Sequence, residues 1–133
     1  MVRRRNQQRG FTLIEMIVVI SIIVILLSFA VPQYQQSIRR AREAVLRDDL
    51  FTMRSLIREY TLDKEKAPQS LQDLVTAGYL KLIPVDPMTN SNSTWVADQE
   101  DVLIAIDQQQ TGINDVHSGS TGVGTDGTPY NTW

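Results

Sequence analysis

Residues 11–31 read FTLIEMIVVISIIVILLSFAV and contain a single charged side chain, that of Glu15. An α-helix rises about 1.5 Å per residue and the hydrocarbon core of a bilayer is about 30 Å thick, so a helix over this stretch can span it. A secretory signal has a shorter apolar stretch followed by an Ala-x-Ala type of cleavage site, and neither feature is present here. The stretch therefore predicts a membrane-spanning helix that stays in the mature protein.

The residues before this helix are strongly basic. Residues 1–10, MVRRRNQQRG, contain four arginines and no acid. Basic residues beside a membrane helix stay on the cytoplasmic side, so the segment predicts the orientation of the helix. The whole chain has 13 Lys and Arg against 15 Asp and Glu, so the part after residue 10 is acidic. An acidic body argues against nucleic-acid binding, because attraction to phosphates requires surplus cations.

Glu15 is the unusual residue of the apolar stretch. A charged side chain at the centre of a bilayer costs at least about 2.5 kcal/mol and commonly marks a functional site. One alternative is that Glu15 lies close enough to the headgroups to be solvated. No Lys or Arg occurs between Phe11 and Gln36, so a cationic partner must come from another chain or from a new amine. Cleavage after Gly10 would create such an amine at Phe11.

The segment Arg9–Glu15, RGFTLIE, resembles the prepilin motif of type IV pilins and type II secretion pseudopilins. The resemblance implies that a membrane-embedded prepilin peptidase cuts after Gly10 and N-methylates Phe11. It also implies that Glu15 pairs with the N-terminal amine of a neighbouring subunit during assembly. The expected organisation is a leader peptide at 1–10, a transmembrane and filament-core helix at 11–32, and a periplasmic globular domain at 33–133.

A long helix is expected to continue beyond the apolar stretch. Pro32 follows the stretch and should kink or locally break the helix, or mark the exit from the bilayer, since proline removes a backbone donor. Further along, five apolar residues recur at alternating spacings of four and three, which predicts one buried helix face. We therefore predict a helix from about Thr12 to Thr61, and the five residues are Leu46, Leu50, Met53, Ile57 and Tyr60.

The middle of the chain predicts short elements. Ser70 and Asp73 have the spacing of a capping box and open a short helix over Leu71–Ala77 that ends at Gly78. Two β-type runs follow, Trp95–Ala97 and Val102–Ile106, and the polar residues 98–101 between them are expected to form a hairpin turn. A small antiparallel sheet against the long helix would bury the apolar faces of both, which gives an α+β fold.

Residues 60–87 resemble the major pseudopilin of type II secretion. The chain departs from that family at Ala67, where the family usually has tyrosine. The absence of cysteine favours the same branch, since type IV pilins commonly close their C-terminal region with a disulfide. The resemblance implies a type IV pilin-like fold, with a long N-terminal helix, a short helix, a small sheet and an extended C-terminal loop. The matching residues are Tyr60, Asp63, Pro68, Leu71, Leu74, Gly78–Leu80, Ile83–Pro84 and Asp86–Pro87.

The function that this resemblance implies is structural. The chain would polymerise into a pseudopilus, a piston-like filament that drives protein export across the outer membrane. Its expected partners are further copies of itself, the prepilin peptidase, an inner-membrane assembly platform with its ATPase, and minor pseudopilins. Before assembly it would be a single-pass inner-membrane protein with its C-terminal domain in the periplasm. The assembled filament would also be periplasmic.

Residues 111–133 are rich in Gly, Ser, Thr, Asn and Asp and are expected to form a loop. Ca²⁺ takes six to eight oxygen ligands, and such a loop is dense in oxygens. The end of the segment resembles the calcium loop of the pseudopilin family, with Asp126 and Trp133 as the clearest matches. The resemblance implies a calcium ion held by Asp115 and Asp126, although the family usually offers several acids here.

The alternative for this loop needs no metal. Its apolar and aromatic side chains could pack the loop against the rest of the domain, and a terminal aromatic residue favours burial. The sequence leaves both possibilities open. The side chains that would pack the loop are Val116, Val123, Tyr130 and Trp133.

Catalysis is not predicted. His117 is the only histidine, and Ser118 and Ser120 beside it lack the Gly-x-Ser-x-Gly elbow of a nucleophilic serine. The sequence also lacks a phosphate loop, a dinucleotide fingerprint and a set of zinc ligands. Two alternatives to a secretion pseudopilin remain, namely a type IV pilin for adhesion or motility and a monomeric membrane-anchored binding protein. The last predicts no cleavage at Gly10 and no role for Glu15 beyond anchoring.

Overall fold

The computed structural model describes the backbone of residues 10–105 and 108–133, and the side chains of residues 10–100 and 111–133. The elements occur in the order helix, helix, strand, strand and a final 3₁₀ turn, which confirms the predicted α+β class. Their bounds are α1 Leu13–Lys64, α2 Leu71–Thr76, β1 Val96–Ala105, β2 Gln108–His117 and the 3₁₀ turn Tyr130–Thr132.

The first part of α1 is apolar and exposed. The described residues up to Ser37 form one compact unit, and Ile38–Trp133 form a second. By length and composition α1 can cross a membrane, and none of its apolar stretch is buried within the protein. The hydroxyls in this stretch are satisfied inside the helix, since Ser21 donates to the Ile17 carbonyl and Ser28 to the Val24 carbonyl. Among the described residues nothing covers these apolar side chains, and lipid or other chains could bury them.

The helix continues through Pro32. The expected local break at this residue is therefore wrong. Proline at this position lacks the N–H that would donate to the carbonyl of Ser28, and its ring crowds that carbonyl. This local cost does not end a helix of 52 residues. At the other end, α1 extends three residues past the predicted Thr61 and stops before Glu65, whose φ of 52° is left-handed.

The predicted apolar stripe of α1 is the core of the second unit. Its five residues are between 0 and 7% exposed, which confirms the alternating spacing. Residues of the other elements complete the core, and each buried aliphatic side chain contributes about 1.5–3 kcal/mol. They are Leu74 of α2, Ile113 and Val116 of β2, and Tyr130 of the 3₁₀ turn.

The short helix α2 begins as predicted. The carboxylate of Asp73 accepts hydrogen bonds from the backbone N–H groups of Gln69 and Ser70, at 2.8 and 3.1 Å. These bonds satisfy donors ahead of the helix, as in a capping box. α2 ends at Thr76, one residue before the predicted end, and Gly78 follows with a φ of 85°.

The predicted turn at residues 98–101 is wrong. These residues lie inside β1, which pairs antiparallel with β2 from Val96 opposite His117 to Ala105 opposite Gln108. The first part of the predicted C-terminal loop is thus strand. Opposite Asp98 lies Asp115, and opposite Gln99 lies Ile113, so Asn114 is an extra residue in β2.

The bulge at Asn114 hides the strand-like alternation of apolar side chains in β2. In a regular strand, side chains alternate between faces, so Ile113 and Val116 would point in opposite directions. The extra residue Asn114 shifts the alternation by one. Both side chains then reach the core, where they are 2 and 0% exposed.

Gly112→Ala is expected to destabilise the close packing of β2 against Ala67 and Pro68. A Cβ at residue 112 would lie 2.3 Å from the Ala67 Cβ and 3.1 Å from the Pro68 carbonyl oxygen. Ala67 is 3% exposed, so it has little room to move. Overpacking of this kind typically costs about 1–3 kcal/mol, which should appear as a lower melting temperature. Ala67→Tyr, which restores the residue of the resembled family, should also destabilise this chain, and an unchanged melt of either variant would contradict the close fit.

Candidate functional site

The N-terminal motif begins α1 with a cap. Thr12 precedes the first helical residue, and its Oγ1 accepts a hydrogen bond from the N–H of Glu15 at 3.2 Å. Thr12 and Glu15 thus have the spacing of a capping box, in which a glutamate or glutamine at the third helical position supports the cap. The Thr-x-x-Glu spacing could have predicted this role from the sequence. A carboxylate in the first turn is also favoured by the helix dipole.

The predicted cleavage site lies just outside the helix. Gly10 and Phe11 precede the first helical residue, and both are exposed, with Phe11 at 80%. A bond in this position is accessible to a peptidase without unfolding of the helix. Glu15 is exposed as well, so its carboxylate is free to meet a group of another chain. The roles of these three residues in cleavage, methylation and assembly remain predictions.

Within the second unit, α1 holds the C-terminal loop through the buried side chain of Glu43. This residue is 1% exposed. Its carboxylate accepts hydrogen bonds from the Thr125 N–H and the Tyr130 hydroxyl, both at 2.8 Å, and from the Thr125 hydroxyl. Burial by itself raises the pKa of Glu43, but these hydrogen bonds and the nearby Arg47 bring it below its ordinary value. Glu43 is therefore a buried anion that hydrogen-bond donors stabilise.

Arg54 holds both ends of the segment from Asp115 to Trp133. Its Nε donates to Asp115 Oδ1, and its Nη2 donates to the carbonyl oxygens of Val116 at 3.0 Å and Trp133 at 2.6 Å. Burial raises the pKa of Asp115, but the Val116 amide and the Arg54 guanidinium lower it below its ordinary value. The planar guanidinium suits this use, because its donors point in fixed directions.

A third contact joins Arg47 of α1 to Trp133 and Asp126. The Arg47 guanidinium lies 4.2 Å from the centre of the Trp133 ring, and its Nη2 is 3.5 Å from Asp126 Oδ2. The other oxygen of Asp126 accepts from the Thr128 N–H at 3.0 Å and the Thr128 hydroxyl at 2.7 Å. The Trp133 indole N–H also donates to that hydroxyl, at 2.6 Å. The end of the loop is thus fixed by side chains of this chain.

The residues predicted to bind calcium do not fit that ion in this arrangement. Asp115 is paired with Arg54 and Asp126 faces Arg47. Over residues 10–105 and 108–133, no group of three or more His, Cys, Asp or Glu residues is placed to hold a metal. Calcium binding by this loop remains a prediction. Of the alternative packing residues, Val116 and Tyr130 are buried and Trp133 is partly buried, but Val123 is 46% exposed.

Glu43, Arg47 and Arg54 were missed by the sequence analysis. Glu43 lies three residues before Leu46 and continues the apolar stripe, so a charged residue on a buried helix face was the available signal. The partners of the two arginines lie more than sixty positions away in sequence. No local pattern predicts such long-range contacts.

His117 and Ser118 are not arranged for catalysis. Ser118 is fully buried, and its hydroxyl donates to the buried carboxylate of Asp86. The His117 nitrogens instead lie 2.7 Å from the Trp133 carbonyl oxygen and 3.0 Å from Asp98 Oδ2. Both residues therefore fix the loop.

The carboxylates of Glu43 in α1 and Asp115 in β2 give a testable pH dependence of stability. A depressed folded pKa means that the stabilisation is fully present above the ordinary values, 4.5 for Glu43 and 3.8 for Asp115, and is lost as pH falls through the folded values. The melting temperature should therefore drop below pH 4.5. Glu43→Gln should flatten this part of the curve relative to the wild type, and parallel curves would contradict the assignment.

Comparison with known proteins matches the N-terminal motif and about two thirds of the chain. Residues 5–31 match the prokaryotic N-terminal methylation motif. The chain is 36% identical over 103 residues to the type II secretion system core protein G of Pseudomonas aeruginosa, which covers 65% of this chain and 72% of that protein. For the core protein G of Escherichia coli K12, the identity is 34% over 104 residues, with 66% and 72% coverage.

A second group of relatives consists of pilins. The chain is 40% identical over 65 residues to the type IV major fimbrial protein FimA of Dichelobacter nodosus, covering 49% of this chain and 41% of that protein. No solved structure matches the chain significantly. The matches to core protein G decide between the two groups, because they cover 72% of those proteins, whereas the match to FimA covers 41% of that protein. This chain belongs to the family of the type II secretion system core protein G.

Proposed function

We propose that the mature chain is a structural subunit that polymerises into a type II secretion pseudopilus. The observation that carries this proposal is the apolar first part of α1, which no residue of the described chain covers. Its side chains include Leu13 at 82% and Phe29 at 74% exposure. In a filament, packing between the helices of neighbouring subunits would bury this surface. Membership of the core protein G family supports the same role.

The proposed assembly route begins in the inner membrane. A prepilin peptidase removes residues 1–10 and methylates the new N-terminus at Phe11, and the domain at 33–133 lies in the periplasm. An assembly platform with a cytoplasmic ATPase then extracts the subunit into a growing periplasmic filament that also contains minor pseudopilins. The methylation motif and the apolar helix support this route.

The role of Glu15 in this route is electrostatic. A carboxylate carried into an apolar filament core must be neutralised or paired. The amine of Phe11 in a neighbouring subunit supplies the opposite charge, and each group offsets the desolvation of the other. The exposure of both residues at the start of α1 is compatible with contact between chains.

Electron microscopy of cells that overproduce the chain with its peptidase tests this function. We expect filaments whose subunit begins at an N-methylated Phe11, as read by mass spectrometry of the N-terminal peptide. A mature protein that begins upstream of Phe11, or that never self-associates, would contradict the proposal. It would favour a monomeric membrane-anchored binding protein instead.

A type IV pilin for adhesion or motility is the second candidate, and the similarity to fimbrial protein FimA favours it. The two functions are separated by deletion of the gene. Loss of secretion with intact surface pili indicates a pseudopilin, whereas loss of surface pili with intact secretion indicates a pilin.

A further inference from the structure

Two charged residues of α1 hold the segment from Asp115 to Trp133. Arg54 binds both of its ends, and Glu43 binds Thr125 and Tyr130 within it. We propose that this pair, named here the loop clasp, closes the C-terminal loop without a metal ion. Folding of the domain is then independent of calcium. Assembly is independent of calcium too, and this second consequence rests on the proposed function.

The first step concerns the oxygens around Arg54. The guanidinium donates hydrogen bonds to a carboxylate oxygen of Asp115 and to the carbonyl oxygens of Val116 and Trp133. Carboxylate and carbonyl oxygens are the ligands that Ca²⁺ also takes. Here they converge on a fixed positive charge of the chain itself. A cation could use the same oxygens only by displacing Arg54, which would leave the guanidinium without its acceptors.

The second step concerns Glu43, the anion that binds residues inside the segment. The carboxylate of Glu43 faces hydrogen-bond donors, namely the N–H and hydroxyl of Thr125 and the hydroxyl of Tyr130. These groups satisfy the carboxylate, and the buried side-chain polar atoms of the described residues all have partners. Arg39 adds a further hydrogen bond from α1 to the same part of the segment by donating to the Val123 carbonyl at 3.1 Å.

The third step concerns the remaining predicted ligand, Asp126. Thr128 occupies one of its oxygens, and Arg47 faces the other. The Trp133 ring packs beside it, and a Cβ at Gly124 would lie 2.5 Å from that ring and 2.8 Å from Asp126 Oδ1. The side chain of Asp126 is 46% exposed, and its two oxygens are held by Thr128 and Arg47. Positive charge at both aspartates disfavours a divalent cation by like-charge repulsion.

The experiment compares thermal melting of the purified mature chain in detergent with excess EGTA and with added CaCl₂. We expect the same melting temperature in both, and titration calorimetry with CaCl₂ should give no binding heat. A melting temperature that rises with CaCl₂, or saturable binding of Ca²⁺ to the folded chain, would overturn the proposal.

Matched variants test the clasp itself. Arg54→Gln and Glu43→Gln should each lower the melting temperature by about 10 °C, because each loses hydrogen bonds to a charged group, and CaCl₂ should not restore it. Arg58→Gln and Glu59→Gln change exposed residues of the same helix and should have little effect. Equal melting of the clasp and control variants would overturn the role of Glu43 and Arg54. If a clasp variant does not fold at all while its control folds, the clasp is supported, because the EGTA and calorimetry results stand on the wild type.

Filament formation separates this proposal from the proposed function. Cells grown with EGTA should assemble as many filaments as cells grown with CaCl₂. Filaments that need CaCl₂ would overturn the calcium-independent assembly. Absence of filaments in both conditions would contradict the proposed function, whereas the melting and calorimetry results would still decide how the loop is closed.

Discussion

Glu15→Gln is expected to abolish filament formation while leaving cleavage of the leader and insertion into the membrane intact. The substitution removes the charge and keeps a side chain that can support a helix cap, because capping boxes use glutamine as well as glutamate. If Glu15 serves to pair with the amine of Phe11 in the next subunit, the loss of charge leaves that amine unpaired in an apolar core. Breaking a buried pair in this way costs about 3–5 kcal/mol. The same cost recurs at every subunit of a filament.

The controls for this prediction distinguish the charge from the cap. Glu15→Leu removes both functions and should also prevent assembly. Thr12→Ser preserves the hydroxyl that accepts the Glu15 N–H and should assemble normally. Filaments are counted by electron microscopy, and processing is followed by the size of the protein on a gel. Normal filaments from Glu15→Gln would mean that the charge pair is not required.

The helical part of the fold was predictable because its signals are local. The apolar run at 11–31, the stripe from Leu46 to Tyr60 and the capping residue Asp73 each act within a few turns of chain. Helix α1 differs from its predicted bounds by one residue at the start and three at the end. Pro32 is the exception, because the long helix on both sides overrides the helix-breaking propensity of a single proline.

The sheet was less predictable because its pairing is long-range. Asp98 to Asp101 have the composition of a turn, but pairing with β2 holds them in a strand. The bulge at Asn114 hides the alternation of β2, and no pattern in the sequence alone reveals a bulge. Residues 108–117 therefore form a strand because Ile113 and Val116 are buried in the core with α1, and local propensity alone does not predict it.

The C-terminal loop shows the same limit at the candidate site. Composition favoured an oxygen-rich loop, and the resemblance to a family with a calcium loop assigned Asp115 and Asp126 to a metal. The structure gives both aspartates arginine neighbours from α1. Arg54 lies next to Met53 of the apolar stripe, and its local sequence gives no sign of a distant partner. Its contacts with a segment some sixty residues later depend on the folded domain.

Gly10→Ala is expected to block maturation, so that only the uncut precursor is found. The resemblance to prepilins places the cut between Gly10 and Phe11. A Cβ at residue 10 would meet no atom of the described residues within 4 Å, so the substitution introduces no steric clash with them. A loss of processing must then come from recognition by the peptidase. The measurement is the size of the protein on a gel, with mass spectrometry of its N-terminal peptide.

Gly112→Ala is the matched control, since it makes the same chemical change where space is lacking. It should be cut normally and melt at a lower temperature, whereas Gly10→Ala should remain uncut and melt like the wild-type precursor. Normal maturation of Gly10→Ala would count heavily against cleavage at this bond. It would also remove the source of the Phe11 amine, so the charge pair with Glu15 would lose its basis as well.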